Sequence, residues 1–239
     1  MTGIDQTVLL PTPALSVAWD MLDLGNVHPM LGARRLWVAE SAQRQLHAAT
    51  IEYLTALGLA RDETPTPQFR ALLQVIAYAE REFFARSEPS HGPSRSVLIA
   101  QRAEDAVQVI ATDDRVEIRA TAPTRLATTL FDLLPPLPGA PVRAVSVPGA
   151  SDAAPDPFDE DNNTHEYFNS VLSQPRIAVH QLYVARRSNG THTTGGPIYA
   201  LDLESGRVLT YQNTNDRKEL IPGDPRAIVK VLNDAIGAL

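Results

Sequence analysis

The six histidines are the residues of this chain best suited to chemistry, because it contains no cysteine. The lack of cysteine excludes disulfides, thiolate nucleophiles, iron–sulfur clusters and thiolate zinc sites. His165 and Glu166 are adjacent, which is not the spacing of the histidine pair on a zinc-protease helix. His180 and His192 fall on a predicted strand and in a predicted loop, without a carboxylate at close spacing. This pattern favours structural or surface roles for the histidines, and we predict no metal site.

Three further motifs of chemistry are incomplete or missing. Gly190–Gly196 is rich in glycine and threonine, but it lacks the Gly-Lys-Ser/Thr ending of a phosphate loop and precedes a strand. The acidic run Asp152–Asp161 lacks the ligand alternation and central glycine of a calcium loop. No Gly-x-Ser-x-Gly nucleophile elbow is present. We therefore predict no cofactor and no enzymatic activity, with an acid/base site among His165, Glu166 and His180 as the least favoured alternative.

Composition narrows the possible partners and location of the protein. The chain has 239 residues, a net charge of −7 and no run rich in lysine or arginine, which argues against binding nucleic acid or an anionic membrane. The N-terminus lacks a signal-peptide pattern, and no stretch approaches the roughly 18 apolar residues of a membrane helix. We expect a cytoplasmic protein that does not insert into membranes.

The elements that position any site are organised around the C-terminal stretch. Tyr199–Tyr211 is apolar on both sides of Ser205-Gly206 and predicts a β-hairpin. A short third strand follows at Asp216–Ile221. Asp224 and Pro225 then have the residue types of a helix N-cap and first turn. The helix that follows places its apolar residues on one face.

An earlier stretch repeats this unit about 100 residues upstream. Val97–Arg102 and Val107–Ala111 predict the hairpin, and Asp114–Ile118 predicts the third strand. Pro123 precedes a predicted helix that carries Leu126, Leu130 and Leu134, and Leu130 aligns with Leu232 of the later copy. Turn, register and helical period agree together, so we interpret the two stretches as a structural duplication.

The remaining elements complete an α+β protein. Thr7–Leu10 and Leu36–Val38 predict short strands, and Ala39–Leu57 predicts a long helix. The inward residues of that helix are predicted to be Leu46, Ala49, Tyr53 and Leu57. Each half reads helix, strand, hairpin, strand, helix, which predicts a largely antiparallel sheet flanked by helices. We divide the chain into an N-terminal half (1–147), an acidic proline-rich connector (148–163) and a C-terminal half (164–239), together forming one compact domain.

Two groups of residues also resemble a known family. The first is the series Leu15, Leu22-Asp-Leu-Gly25, Pro29 and Leu31, followed by a long helix that ends at Leu57-Gly58-Leu59. The second is Asp202 followed by Gly206-Arg207-Val208 in the hairpin. In this order and spacing, the chain resembles the EspG family, cytosolic chaperones of actinobacterial type VII (ESX) secretion. Leu203 and Val208 stand where that family often has threonine and tyrosine, and the chain looks shorter than typical members.

The resemblance implies a fold with a pseudo-twofold relation between its halves and a function without catalysis. Family members bind PE–PPE heterodimers and cover the apolar tip of the PPE partner, which keeps the pair soluble. By position, the contact loop would be Ser87–Ser94, with Arg186–Gly196 as its counterpart in the duplication. The partner-binding residues that we predict on this basis are Glu88, His91, Arg95, Arg186, Arg187, Asn189, Tyr199 and Tyr211. An adaptor for another helical or extended protein is the alternative, and we expect a monomer or a weak homodimer.

Overall fold

The computed structural model describes residues 7–32, 40–149 and 160–239. The predicted strand Leu36–Val38 and residues 150–159 of the predicted connector lie outside the described residues. The boundaries proposed for the two halves stay a prediction.

Ten strands form one antiparallel sheet, in the order β1-β7-β6-β5-β4-β9-β10-β11-β12-β8, and β2 and β3 form a separate two-stranded ribbon. The strands are β1 (Val8–Pro11), β2 (Ala60–Arg61), β3 (Thr64–Pro65), β4 (Arg81–Pro89), β5 (Arg95–Arg102), β6 (Asp105–Ala111), β7 (Arg115–Thr121), β8 (Val145–Pro148), β9 (Arg176–Ser188), β10 (Thr191–Leu203), β11 (Gly206–Gln212) and β12 (Arg217–Pro222).

Six α-helices and a short 3-10 helix, Pro29–Leu31, accompany the strands in the described part of the chain. The α-helices are α1 (Thr12–Met21), α2 (Glu40–Ala56), α3 (Pro67–Ala77), α4 (Leu126–Asp132), α5 (Glu160–Leu172) and α6 (Pro225–Gly237). The predicted cap of α6 is confirmed, because an Asp224 carboxylate oxygen accepts from the backbone N–H groups of Arg226 and Ala227 at 2.9 and 3.0 Å. Thr66 caps α3 in the same way, through the N–H of Phe69.

The strand order is symmetric about the central pair β4 and β9. On each side of that pair the chain makes a four-strand meander, β4–β7 or β9–β12, and then a helix, α4 or α6. The central pair runs from Arg81 opposite Arg186 to Pro89 opposite Ala178. The predicted α+β class and the two related halves are therefore confirmed, and both halves share one continuous sheet.

Helices cover both faces of this sheet. On the two-helix face, α4 and α6 pack on inward residues of the central strands such as Phe83, Ile99 and Leu209. On the four-helix face, α1, α2 and α3 cover the N-terminal strands. On the same face, α5 covers β8 and the residues Leu201, Leu203, Val208 and Leu220 of β10–β12. Successive residues of a strand alternate between these faces, so each strand residue can be assigned to one face.

The predicted inward face of α2 is wrong. Thr50 and Leu54 are its buried residues, while Tyr53 and Leu57 are 39% and 40% exposed. The helix is rich in alanine, glutamine and threonine, so its apolar period is weak, and one residue of error rotates the predicted face by about 100°. Gly58 ends the helix with a positive φ of 70°, as expected.

Both predicted contact loops are shorter than expected. The β4 strand continues to Pro89, so only Ser90–Ser94 forms a loop, and Ser87 is buried on the strand. The stretch Arg186–Gly196 is the tip of a long hairpin, with a turn at Asn189-Gly190 where both φ angles are positive. Asn-Gly is the strongest short hairpin signal, and its presence next to alternating polar residues would have given the correct prediction.

The N-terminal copy of the repeated unit is less regular than the C-terminal copy. Pro123 does not open α4, which begins three residues later at Leu126 and spans seven residues. The helix α6 spans thirteen residues from Pro225. Leu126, Leu130 and Leu134 are nevertheless buried, as the apolar spacing predicts.

Candidate partner-binding surface

The middle of the four-helix face is left open between α1–α3 and α5. The side chains exposed or half-buried there form what we call the central strip, and they come from β4, β9 and β10. The central strip consists of Arg86, Glu88, Ile177, Gln181, Tyr183 and Tyr199.

Strand register brings residues of the central strip side by side. Arg86 lies opposite Gln181, and Gln181 lies opposite Tyr199. Directly opposed residues have Cβ atoms about 5 Å apart, so these three side chains form one continuous row. Ile177 is 51% exposed and Tyr199 is 36% exposed. Large exposed apolar groups grouped on a sheet, with charged groups at the border, are typical of a protein-binding surface.

Stacked rings support one side of the central strip. Phe84 stacks on Tyr183 with ring centroids 5.2 Å apart, and His28 packs its edge against Phe84 at 5.1 Å. The Tyr183 hydroxyl donates to Oε1 of Gln181 at 3.1 Å. Burial, together with the nearby Tyr199, raises the pKa of Tyr183. These contacts restrict the rings, which lowers the entropy that a partner would have to remove on binding.

Charges at the border of the central strip are paired loosely. Arg86 Nε and Glu88 Oε1 are 2.8 Å apart, with side chains 54% and 45% exposed. An exposed pair of this kind contributes roughly 0–1 kcal/mol. Both groups can therefore exchange this contact for one with a partner at small cost.

A buried carboxylate ties the 3-10 helix and the β9–β10 hairpin to the sheet beside the strip. Glu82 is 2% exposed, and its Oε2 lies 2.9 Å from His192 Nε2 and 3.6 Å from His28 Nε2. His28 Nδ1 accepts from the N–H of Met30, so Nε2 carries the proton of the neutral ring and faces Glu82 as a donor. Burial alone would raise the pKa of Glu82, but the two histidines outweigh it and lower that pKa.

A second polar network lies on the two-helix face. Ser87, His180, Asp202 and Arg207 are each at most 4% exposed. His180 Nδ1 is 2.9 Å from Ser87 Oγ, and His180 Nε2 is 3.0 Å from Asp202 Oδ2. Arg207 donates to both carboxylate oxygens of Asp202, at 2.6 and 2.9 Å. Although this network contains a serine, a histidine and an aspartate, it is sealed from solvent, as is typical of a structural network. Among the described residues, Arg207 Nη1 is the one buried polar atom of the network without a hydrogen-bond partner.

The Asp202–Arg207 pair also fixes the segment after α4. Arg207 Nη2 donates to the carbonyl of Pro135 at 2.9 Å, and the Arg207 backbone bonds to Pro138 and Ala140. Gly206 lies where an added Cβ would be 2.8 Å from the Pro138 oxygen, so a side chain there would push this segment away. The aspartate, glycine and arginine of the hairpin pattern thus hold α4 and its continuation against the sheet.

The predicted partner-binding residues do not form one patch. Glu88 and Tyr199 lie together on the central strip, and His91 is exposed in the Ser90–Ser94 loop at the end of β4. Arg95 lies on the two-helix face, where Nη2 donates to the carbonyl of Leu133 at the end of α4. Tyr211 faces α6, beside a cleft of about 480 Å³ that Val231 and Lys218 also line.

The other three predicted residues lie at the opposite end of the sheet. Arg186, Arg187 and Asn189 belong to the tip of the β9–β10 hairpin, which lies beside the start of β4. The Ser90–Ser94 loop follows the end of β4. Because β4 has nine residues, its start and its end are about 26 Å apart, and so are the hairpin tip and the loop. The two loops therefore cannot contact one small epitope together.

Sequence reasoning missed Arg86, Ile177, Gln181 and Tyr183 of the central strip. Residues 177, 179, 181 and 183 alternate along β9, which identifies a shared face but not whether a helix covers it. Their exposure depends on where α3 and α5 end relative to the sheet. That information is tertiary and is not contained in the local pattern.

Two residues of the alternative acid/base site, His165 and Glu166, are not joined by hydrogen bonds to the third, His180, in the described part of the chain. His180 contacts Ser87 and Asp202 instead. Within residues 7–32, 40–149 and 160–239, no group of three or more histidines and carboxylates could hold a metal ion. In the same ranges, no helix is long and apolar enough to cross a membrane.

A family match and a structural match to known proteins both agree with the observed α+β fold. The model of the EspG family matches residues 11–234. Among solved structures, the chain is similar to the Mycobacterium tuberculosis type VII secretion system chaperone EspG5, solved in complex with the PE25-PPE41 dimer; the TM-score is 0.72 at 15% identity, over 96% of each chain. The chain was predicted to be shorter than typical family members, but it is not shorter than EspG5, since the match covers 96% of both chains. A search of curated proteins found no match. Because the family model spans nearly the whole sequence, the chain belongs to the EspG family.

Proposed function

We propose that this protein is a cytoplasmic chaperone of type VII secretion that binds a PE–PPE-type heterodimer at the tip of its PPE subunit. The proposal is carried by the family match over residues 11–234, together with a fold shared with a chaperone solved with such a dimer. An apolar tip is an aggregation liability while it is exposed. A chaperone that binds it keeps the heterodimer in solution by mass action.

The central strip is the surface we propose for this contact. It offers Ile177 and Tyr199 as exposed apolar anchors on a rigid sheet, with Arg86 and Glu88 at the border. A helical tip can lie on such a strip with its apolar residues against the two anchors. The neighbouring Ser90–Ser94 loop, with His91, would contact the side of the same helix.

Two substituted positions of the family pattern do not alter this surface. Leu203 and Val208 are 1% and 0% exposed and pack in the cluster beneath α5 with Phe168 and Val171. The departure from threonine and tyrosine is therefore a change of core packing. It gives no structural reason to favour an adaptor for a different partner.

The test is co-expression of the tagged protein with PE–PPE pairs encoded near its gene. We expect one pair to co-purify as a complex with one copy of each chain. If no pair co-purifies, and a different helical protein is retained from the same cells through the central strip, the adaptor alternative is correct instead.

Variants of the central strip locate the contact. The double variant Ile177→Ser with Tyr199→Ser should abolish co-purification without changing the thermal midpoint by more than a few degrees, because both side chains are exposed. Tyr78→Ser is the matched control, since Tyr78 is 41% exposed but lies away from the strip beside Arg102. Retention of the pair by the double variant would place the contact elsewhere on the protein.

A further inference from the structure

A polar row crosses the sheet on the two-helix face, at the end that carries the β9–β10 hairpin tip. Its members lie directly opposite one another on four adjacent strands: Gln101 opposite Arg81, Arg81 opposite Arg186, and Arg186 opposite Thr193. Arg81, Arg186 and Thr193 are exposed, and Gln101 is half-buried. The row begins where the apolar residues under α4 and α6 end, at Phe83 and Val184.

The two arginines at the centre of this row take part in none of the ion pairs found in the described part of the chain. Glu82, the next residue of β4, points to the other face and bonds His192. Glu80 accepts from the backbone N–H of Ala103. Arg86 and Arg207, in contrast, each pair with a carboxylate, that of Glu88 and that of Asp202.

Direct opposition of two arginines is unfavourable in the free protein. Their Cβ atoms are about 5 Å apart, and like charges at opposed positions destabilise a sheet. The chain as a whole carries a net charge of −7, so this pair of arginines is not explained by a generally basic composition. An acidic partner would turn this repulsion into attraction, because each guanidinium can hold a carboxylate through two parallel hydrogen bonds.

The spacing suits one kind of acidic partner. Glutamates three or four residues apart on a helix have Cβ atoms about 5–6 Å apart, which matches the spacing of Arg81 and Arg186. We propose that Arg81 and Arg186 form a docking site for an acidic helix of a protein partner, with the exposed Thr193 hydroxyl as a hydrogen-bonding group beside Arg186. The site is on the opposite face from the central strip, so it is separate from the proposed function and leaves that surface free.

Anisotropy titration with a fluorescein-labelled, alanine-based helical peptide tests this site. The peptide carries two glutamates four residues apart, and its control carries glutamines at those positions. We expect the full-length protein to bind the glutamate peptide at least about tenfold more tightly than the glutamine peptide, with affinity falling as salt is raised. Arg81→Gln and Arg186→Gln should each reduce affinity by about tenfold. The double variant should lose little more, since both arginines hold one ligand.

Three controls make the result decisive. Arg102→Gln removes an exposed arginine that already lies over the Tyr78 ring and should leave binding unchanged. The Ile177→Ser, Tyr199→Ser variant should also bind the peptide normally, which separates this site from the central strip. Arg81→Gln should leave the urea midpoint unchanged or raise it, because it relieves repulsion. Equal binding of both peptides, insensitivity to both arginine variants, or tighter binding of a single-stranded oligonucleotide than of the peptide would overturn the proposal.

Discussion

At the scale of single residues, the two buried carboxylates show how this chain uses its histidines. Glu82 accepts from His192 and lies 3.6 Å from His28 on one face of the sheet, and Asp202 accepts from His180 and Arg207 on the other. Each carboxylate joins elements that are distant in sequence. The prediction of structural roles for His180 and His192 agrees with this geometry, although the carboxylates that they bind were not identified from spacing.

Removal of Arg207 should be among the most damaging single changes. Arg207→Met leaves Asp202 with a buried charge and without its bidentate partner, and breaking a buried pair in this way costs about 3–5 kcal/mol. The free energy of unfolding in urea measures this cost. Arg86→Met is the matched control, because its pair with Glu88 is exposed and should cost under about 1 kcal/mol. A similar small loss for both variants would show that the Asp202 network is not needed for the fold.

The two carboxylates also set how stability depends on pH. Burial would raise the pKa of Asp202, but hydrogen bonds from Arg207 and His180 outweigh it and lower that pKa, as the histidines do for Glu82. The unfolded chain therefore takes up protons near pH 4 that the native chain does not. Their stabilisation should be complete above about pH 5 and should be lost as the pH falls below about 4.

Urea midpoints between pH 7 and pH 3 check this dependence. Glu82→Gln should be less stable than the wild type at pH 7, and its stability should fall less steeply below pH 4. Parallel curves for the two proteins would mean that Glu82 is not held ionised by its neighbours.

At the scale of elements, the junction between the β10–β11 hairpin and the segment after α4 depends on one glycine. Gly206 has a φ of 127°, and a Cβ there would lie 2.9 Å from backbone atoms of Ala140. Gly206→Ala should therefore cost about 2 kcal/mol or more through strain and displacement of that segment. Thermal melting of both variants measures this cost. Gly190→Ala is the control, since Gly190 also has a positive φ but has open space where a Cβ would lie. An equal loss of stability in both variants would mean that backbone strain alone is the cause and that the close contact with Ala140 contributes nothing.

The duplicated helices give a second prediction at this scale. Leu130 of α4 and Leu232 of α6 are fully buried in the same core cluster. Leu130→Ala and Leu232→Ala should each reduce the free energy of unfolding by about 2–5 kcal/mol. Leu57→Ala, at an exposed helix end, should change it by under about 0.5 kcal/mol. A surface-like cost at Leu130 or Leu232 would contradict the packing of that helix.

Local signals predicted much of the secondary structure and failed where tertiary context decides. The cap at Asp224, the apolar period of α6 and the turn after Leu203 are set by neighbouring residues. The buried side of α2 was misplaced because its period is weak. The β9–β10 tip was predicted as a loop because its glycines and threonines outweighed the Asn-Gly signal. The central strip was only partly predicted, since cross-strand neighbours such as Arg86, Gln181 and Tyr199 are far apart in sequence.

At the scale of the whole molecule, the symmetric sheet separates two surfaces. The four-helix face carries the central strip between the helices of the two halves, and the two-helix face carries the exposed arginine pair. The pairing of β4 with β9 joins the halves through nine pairs of opposed residues. Contacts made by either half on the strip therefore rest on one continuous scaffold.

The proposed function requires this scaffold to bind a PE–PPE heterodimer through the central strip. Size-exclusion chromatography of the tagged protein, co-expressed with a PE–PPE pair encoded near its gene, tests it most directly. We expect a complex with one copy of each chain, which is retained by the Tyr78→Ser variant and lost in the Ile177→Ser, Tyr199→Ser variant. Separate elution of the chaperone and every such pair, with all chains folded, would contradict it.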